Sequence, residues 1–353
     1  MSTVTSKNEL INFTAPDARV LVVDDNSMNL KVFGRLLKQT QIQVFTAESG
    51  FVCLEMVRSM HFDMIFMDHM MPEMDGIETF HRLREIEEAG DIPVIVLTAN
   101  ADENARDMYI SEGFADYMLK PVKPETLIAT IRSYIAPMLI TDSETVSDVR
   151  EMNYPDVEGI DWNVAASHFT DNDTMMETLE NFYITLKRDA EKIDAFFRNI
   201  ESDEGLLQYK IFVHSMKNSA ALVGMTELSD KALRLEKAAG SGDREYIYAG
   251  HSEFTEEWIK YNDRLAGLFE KKSDGDAFNK KAFTAYLDRL AQAAEMLDMD
   301  VMDSETKALG EMNVPWEGGN ERVKLLQAAV VDLDNLTIAD MVEELKLKAE
   351  EWR

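Results

Sequence analysis

Asp24 and Asp25 close one short apolar run, Asp68 closes another, Thr98 a third, and Lys120 follows a fourth. If these runs are strands of one parallel sheet, their carboxyl ends share an edge, where ligands of open α/β sheets bind. Carboxylates drawn from two strands make a hard-oxygen site suited to Mg²⁺, which keeps several waters and takes one or two acid ligands. An ammonium and a hydroxyl beside them could hold the remaining oxygens of a phosphoryl group, because phosphoryl transfer is mostly positioning and charge neutralisation. A lone Asp at a strand end is an ordinary turn or cap residue. It is the convergence of all five groups that points to chemistry. A second candidate is His214, flanking an apolar helical seam, with Lys210 and Lys217 on its own face at i−4 and i+3. Asn218 and Ala221 are small, so the ring is expected to stand open, and an open imidazole beside Lys217 can accept a phosphoryl group. His61, His81, His168 and His251 read as surface or half-buried residues without that setting, and His69, next to Asp68, has no assigned chemistry.

The elements needed to position these groups are legible in the hydrophobic pattern. Val20–Val23, Val44-Phe45, Met64–Met67, Val94–Leu97 and Tyr117–Leu119 are strand-like runs. Helical spacings lie between and after them, at Leu30, Phe33 and Leu37, at Ile77, Phe80 and Leu83, at Ala105 and Met108, and at Leu127, Ile131 and Tyr134. Continuous apolar strands alternating with amphipathic helices predict a five-stranded parallel, doubly wound sheet over residues 17–137. Residues 138–158, rich in Asp, Ser, Thr and Glu, read as a linker. From 159 to 271 the seams Leu179–Ile200, Leu206–Val223 and Leu228–Ala239, with a last helix anchored by Trp258, predict a four-helix bundle. Lys271–Gly275 reads as a polar hinge, and 276–353 as a further helical bundle without a histidine.

The whole chain bounds the function further. Its 353 residues carry 66 acids against 36 bases, a formal charge of −30, which disfavours nucleic acid and anionic membrane surfaces as partners. No basic recognition helix is visible. The single cysteine, Cys53, lies in an apolar helical row and reads as core filler, which suits a reducing cytoplasm. No apolar stretch is long enough to cross a bilayer. Residues 1–16 lack the pattern of a secretory signal.

Val22-Val23-Asp24-Asp25-Asn26, Phe66–Gly76 with Asp68, Leu97-Thr98-Ala99 and Lys120-Pro121 together resemble the receiver domain of two-component response regulators, across residues 18–136. The resemblance implies phosphoryl acceptance on Asp68. It also implies Mg²⁺ held by Asp25, Asp68 and the Met70 carbonyl, with Asp24 assisting through water. Lys120 would contact the phosphoryl group, Thr98 and Tyr117 would form the switch pair, and the bond into Pro121 would be cis. Val213–Ala220 with Gly224, Leu228-Ser229, Leu235-Glu236 and Gly242-Asp243 resembles the histidine phosphotransfer (HPt) domain. That implies phosphotransfer through His214 with Lys217 beside it, although Asn218 stands where the family often has glycine; residues 276–353 resemble a degenerate form of the same bundle only weakly, and read more plainly as a bundle for packing or protein contact. Phe13–Pro16 ahead of the first strand resembles junctions inside hybrid histidine kinases. No glycine-rich ATP lid or nucleotide box is present, so the phosphoryl source would be a sensor histidine kinase or small donor, and the outlet a downstream receiver or HPt protein. The competing reading is a non-relay signalling scaffold whose receiver is a phosphorylation-controlled switch.

Overall fold

The structure is a computed structural model that describes residues 2–8, 13–99, 105–142, 148–269, 278–296, 299–331 and 334–352. The hinge expected at 271–275 lies outside the described residues. The chain divides into two compact units, one of Met1–Leu179 with Glu191–Trp258, the other of Glu180–Ala190 with Ile259–Arg353.

The first unit begins with β1 (Ser2–Asn8), β2 (Phe13–Thr14) and β3 (Arg19–Val23), followed by α1 (Ser27–Leu37), β4 (Gln43–Ala47), α2 (Gly50–Ser59) and β5 (Met64–Asp68). Then come α3 (Gly76–Arg84), β6 (Val94–Thr98), α4 (Ala105–Glu112), β7 (Asp116–Leu119) and α5 (Pro124–Tyr134). Strands β3 to β7 form a five-stranded parallel sheet in the order β4-β3-β5-β6-β7. Every residue of β5 and β6 is buried, as expected where helices cover both faces. The strand order reverses beside β3, so its crevice opens between the ends of β3 and β5, where Asp24 and Asp68 lie. Asn26, Ser49 and Asp75 cap α1, α2 and α3 through their side chains, which suits backbones turning sharply from strand to helix. Cys53 is fully buried and burial pushes its thiol up to about 12, in keeping with core filler.

Two expectations need correction here. The inward face of α4 is Ala105 and Tyr109, spaced by four, whereas Met108 is 39% exposed. The segment 138–158 is not plain linker either. It contains β8 (Thr141–Asp142), which pairs antiparallel with β2, and β9 (Asp148–Tyr154), which pairs antiparallel with β1. The chain leaves β9 through Tyr154, whose ring stacks on Trp162 at 4.7 Å, and enters α6 (Trp162–Ala166).

Helices α7 (Asn172–Phe197), α8 (Asp203–Leu222), α9 (Thr226–Ser241) and α10 (Arg244–Phe269) follow. Leu206, Tyr209, Val213, Met216 and Ala220 are buried along α8, and Leu228, Ala232, Leu235 and Ala239 along α9. Gly224, at φ +78, turns the chain between them, and a Cβ there would meet the Asp161 carbonyl at 2.4 Å. His168 and His251, expected at the surface or half-buried, are buried. His168 Nδ1 lies 3.1 Å from the Leu222 carbonyl, and His251 stacks on Phe197 and pairs with Asp194.

The second unit holds α11 (Lys280–Met296), α12 (Met299–Gly310), α13 (Gly319–Val331) and α14 (Asn335–Glu351) around Phe283, Leu287, Leu290, Leu326, Ile338 and Leu345. Residues 180–190 of α7 and 259–269 of α10 belong to this unit, so the expected boundary at 271–276 does not divide the fold. Arg188 there donates to the Ala328 carbonyl at 2.9 Å.

Candidate functional site

Asp24, immediately after β3, is 1% exposed and fully engaged. It accepts from the Asn26 backbone N–H at 2.9 Å, from the Asn29 amide at 3.0 and 3.1 Å, and from Lys120 Nζ at 2.6 Å. Asp68, at the end of β5, is equally buried and its Oδ2 lies 2.8 Å from Lys120 Nζ. Its Oδ1 is buried with no hydrogen-bond partner among the described residues. Asp25 is half-buried beside them, and the three acids bring ligand oxygens within 4.8 Å of one another. Gly76 is obligatory behind this cluster, since a Cβ there would lie 2.2 Å from the Asp68 carbonyl oxygen. Lys120 precedes a cis bond to Pro121.

The electrostatics follow from packing like charges out of water. Burial raises Asp68, with Asp24 adding to the rise and Lys120 opposing it. Burial likewise raises Asp25 well above the usual carboxylate range, with Asp24 and Asp68 contributing. Burial would favour neutral Lys120, but Asp24 and Asp68 outweigh it and hold the ammonium. The cluster is therefore short of positive charge, and its oxygen donor set fits a small hard cation such as Mg²⁺.

Thr98 is buried at the end of β6, and its hydroxyl accepts from the Tyr109 hydroxyl at 3.0 Å. Tyr109 OH also lies 2.7 Å from His69 Nδ1, which links the β5 loop to Thr98. Tyr117, the aromatic expected to pair with Thr98, is half-buried in β7 against the core. Sequence reasoning missed Tyr109 and gave His69 no part. The four-residue step from Ala105 was the available signal. Met70, the expected carbonyl ligand, is half-buried in the same loop.

His214 is 5% exposed, which corrects the expectation of an open ring. Its Nδ1 lies 2.7 Å from Glu236 Oε1, and Lys217 Nζ lies 2.7 Å from Glu236 Oε2. Glu236, on α9, is the second residue that sequence reasoning left without a role. Burial lowers the His214 pKa below 6.5, with the nearby Lys217 and Lys120 charges adding to the effect against Glu236. The neutral ring can give Nδ1–H to Glu236, a carboxylate that can only accept. This leaves the lone pair on Nε2, and that atom is buried without a partner among the described residues. Lys217 Nζ stands 3.2 Å from Nδ1, but an ammonium cannot bond a nitrogen that carries hydrogen, so its firm partner is Glu236.

The two clusters lie in one unit and are joined. The Asn26 amide donates to Ser215 Oγ at 2.8 Å and to Ser219 Oγ at 3.0 Å, on the α8 face that carries His214. A cavity of about 30 Å³ between them is lined by Asp24, Lys120, Asn218 and Leu222. Thus Asp24, Asp25, Asp68, Thr98 and Lys120 converge at one sheet edge, and His214 with Lys217 stands next to it.

Residues 20–132 match the family model "Response regulator receiver domain". The chain is 29% identical over 230 residues to the signal transduction histidine-protein kinase BarA of Shigella flexneri, covering 64% of this chain and 24% of that one. It therefore spans about a quarter of that relative's length. It is 34% identical over 116 residues to the polar-differentiation response regulator DivK of Brucella ovis, 33% of this chain and 94% of DivK. Among solved structures it is similar to chemotaxis protein CheY4 of Vibrio cholerae, 28% identical over 33% of this chain and 98% of that one, with a TM-score of 0.32. Through residues 20–132, the chain belongs to the response regulator receiver domain family.

Proposed function

We propose that the protein is a phosphorelay component in which Asp68 accepts a phosphoryl group with Mg²⁺ and exchanges it with His214. The observation that carries this reading is a pair of atoms in one unit, Asp68 Oδ1 and His214 Nε2, both buried and without a hydrogen-bond partner in the geometry of the described residues. Buried polar atoms are nearly always satisfied. A nucleophilic oxygen and a nucleophilic nitrogen left bare in one unit, whose clusters are joined through Asn26 and α8, suit a group that resides on one or the other. The similarity to BarA, longer than the receiver span, supports a reading that extends beyond the receiver.

Asp25, Asp68 and the Met70 carbonyl would hold the metal, with Asp24 assisting, and the metal would offset the charge of the incoming phosphoryl oxygens. Lys120 fixes Asp68 through Oδ2 and leaves Oδ1 as the atom that accepts. Thr98, tied to Tyr109, offers its hydroxyl to a phosphoryl oxygen, with Tyr117 as the aromatic of the switch pair. On the histidine side, Glu236 holds the tautomer and orientation of the ring, and Lys217 neutralises Glu236 and the arriving charge. The input is a histidine kinase or small phosphodonor, and the output is another receiver or HPt protein. The bundle after residue 278 serves packing or protein contact.

The burial of His214 favours one second reading, a switch whose bundle is only a docking surface. Incubation with acetyl phosphate and Mg²⁺, followed by phosphopeptide mapping, separates the two. Acid-labile, base-stable phosphate on His214 supports the relay. Label confined to Asp68 supports the switch, and no label on Asp68 defeats both.

A further inference from the structure

We infer that the chain docks its receiver on its own His214 face through Asn26, so that phosphoryl exchange runs in cis. This rests on the relay reading above and adds the partner and the residue that positions it. Asn26 is held as a rigid two-pronged donor. Its Oδ1 accepts from the Met28 N–H at 2.9 Å as the cap of α1, which fixes the amide and aims both Nδ2 hydrogens outward. Those hydrogens meet Ser215 and Ser219, one helical turn apart on α8 and on either side of Asn218. Both donor sites are thereby used, and the register of the receiver along α8 is set by one residue.

Three further features hold the same pose. An Arg35–Glu177 ion pair joins α1 to α7. Asp161 donates its N–H to the Gly224 carbonyl at 2.9 Å, anchoring the start of the bundle at the turn after α8. The connection to that anchor carries β8 and β9, which pair with β2 and β1 ahead of the receiver sheet.

The exchange balances within the chain. The His214 Nε2 lone pair forms the new P–N bond, and the P–O bond to Asp68 Oδ1 breaks with its electron pair returning to the carboxylate. No proton has to move. Nδ1–H stays on Glu236, whose charge offsets the phosphorylated imidazolium, and Lys120 receives the restored Asp68 carboxylate. The docked state also hides both reacting atoms, so outside partners must act on the undocked chain.

The test uses the full chain. Asp68 is loaded with acetyl phosphate and Mg²⁺, excess donor is removed, and label on His214 is followed across a hundredfold dilution. The expected result is a first-order rate independent of concentration, and exchange in a mixture of Asp68→Asn and His214→Gln chains that scales with concentration. Ser215→Ala/Ser219→Ala, helix-compatible changes that remove the acceptors, and Asn26→Ser, which keeps the cap, should each slow the cis rate at least tenfold. A rate in the intact chain that falls in proportion to dilution, or variants that leave it unchanged, overturns the inference. Docking is read separately, without phosphate, by mapping the carbethoxylation of His214 by diethyl pyrocarbonate. Modification should be at least tenfold faster in Ser215→Ala/Ser219→Ala than in the parent, and equal rates overturn docking. Absent label on His214 with a protected ring in the parent counts against the relay alone.

Discussion

Glu236→Ala isolates the carboxylate that braces both His214 and Lys217. Burial alone would raise this acid, yet its bond to His214 and the charges beside it bring it from 4.5 down to about 2. At 1.36 kcal/mol per unit, that shift corresponds to about 3 kcal/mol of stabilisation. The Glu236 side chain is only 14% exposed, so solvent screens little of it. Removing one member of a buried pair costs about 3–5 kcal/mol in general, because the other charge is stranded, and Lys217 is 9% exposed. A folded-state value below the unfolded one gives stability that is complete above pH 4.5 and lost as pH falls through about 2; the part owed to Lys217 and the hydrogen bonds is the part present at neutral pH, where His214 is neutral. Amide hydrogen exchange of α8 and α9 in the full chain reads it, and about 3 kcal/mol is a roughly hundredfold loss of protection. Glu236→Gln, which keeps an acceptor for Nδ1–H but no charge, should fall between. A loss of less than about threefold in Glu236→Ala would refute the bracing role.

Three other outcomes follow from named contacts. The His214 imidazole, followed by NMR, should titrate below 6.5, and its contribution to stability should be complete above pH 6.5 and decline as pH falls toward the folded value; a midpoint at or above 6.5 contradicts this. Gly76→Ala drives a methyl against the Asp68 backbone, which cannot yield as a side chain tip can, so thermal denaturation should show a loss of about 1–3 kcal/mol. Tyr109→Phe removes the hydroxyl shared by His69 and Thr98 and should cost the receiver about 1 kcal/mol in denaturant melts, with no change meaning that the link is idle.

The sheet was readable because its inner strands are buried on both faces, so Met64–Met67 and Val94–Leu97 stand out as unbroken apolar runs. Their polar terminators then fall on the binding edge without further information. What was hidden depends on partners distant in sequence. β9 looks like polar linker because the residues that make it a strand are 2–8, more than a hundred positions away. Glu236 is one acid among 66 until α9 packs beside α8 and places it on His214. The openness of His214 was inferred from its own helix, where Asn218 and Ala221 are indeed small, but its exposure is set by what covers that helix. In α4 the three-residue step to Met108 is as helical as the four-residue step to Tyr109, and only packing chooses Tyr109 for the buried face.

The central claim is that one phosphoryl group resides on Asp68 and then on His214. Mass-spectrometric localisation of phosphate over time, in the full chain loaded with acetyl phosphate and Mg²⁺, tests it most directly. The expected result is early label on Asp68 and later acid-labile label on His214, with His214 silent in Asp68→Asn and Asp68 still labelled in His214→Gln. Persistent label on Asp68 with none on His214 at any time, or His214 labelled equally in Asp68→Asn, would contradict it.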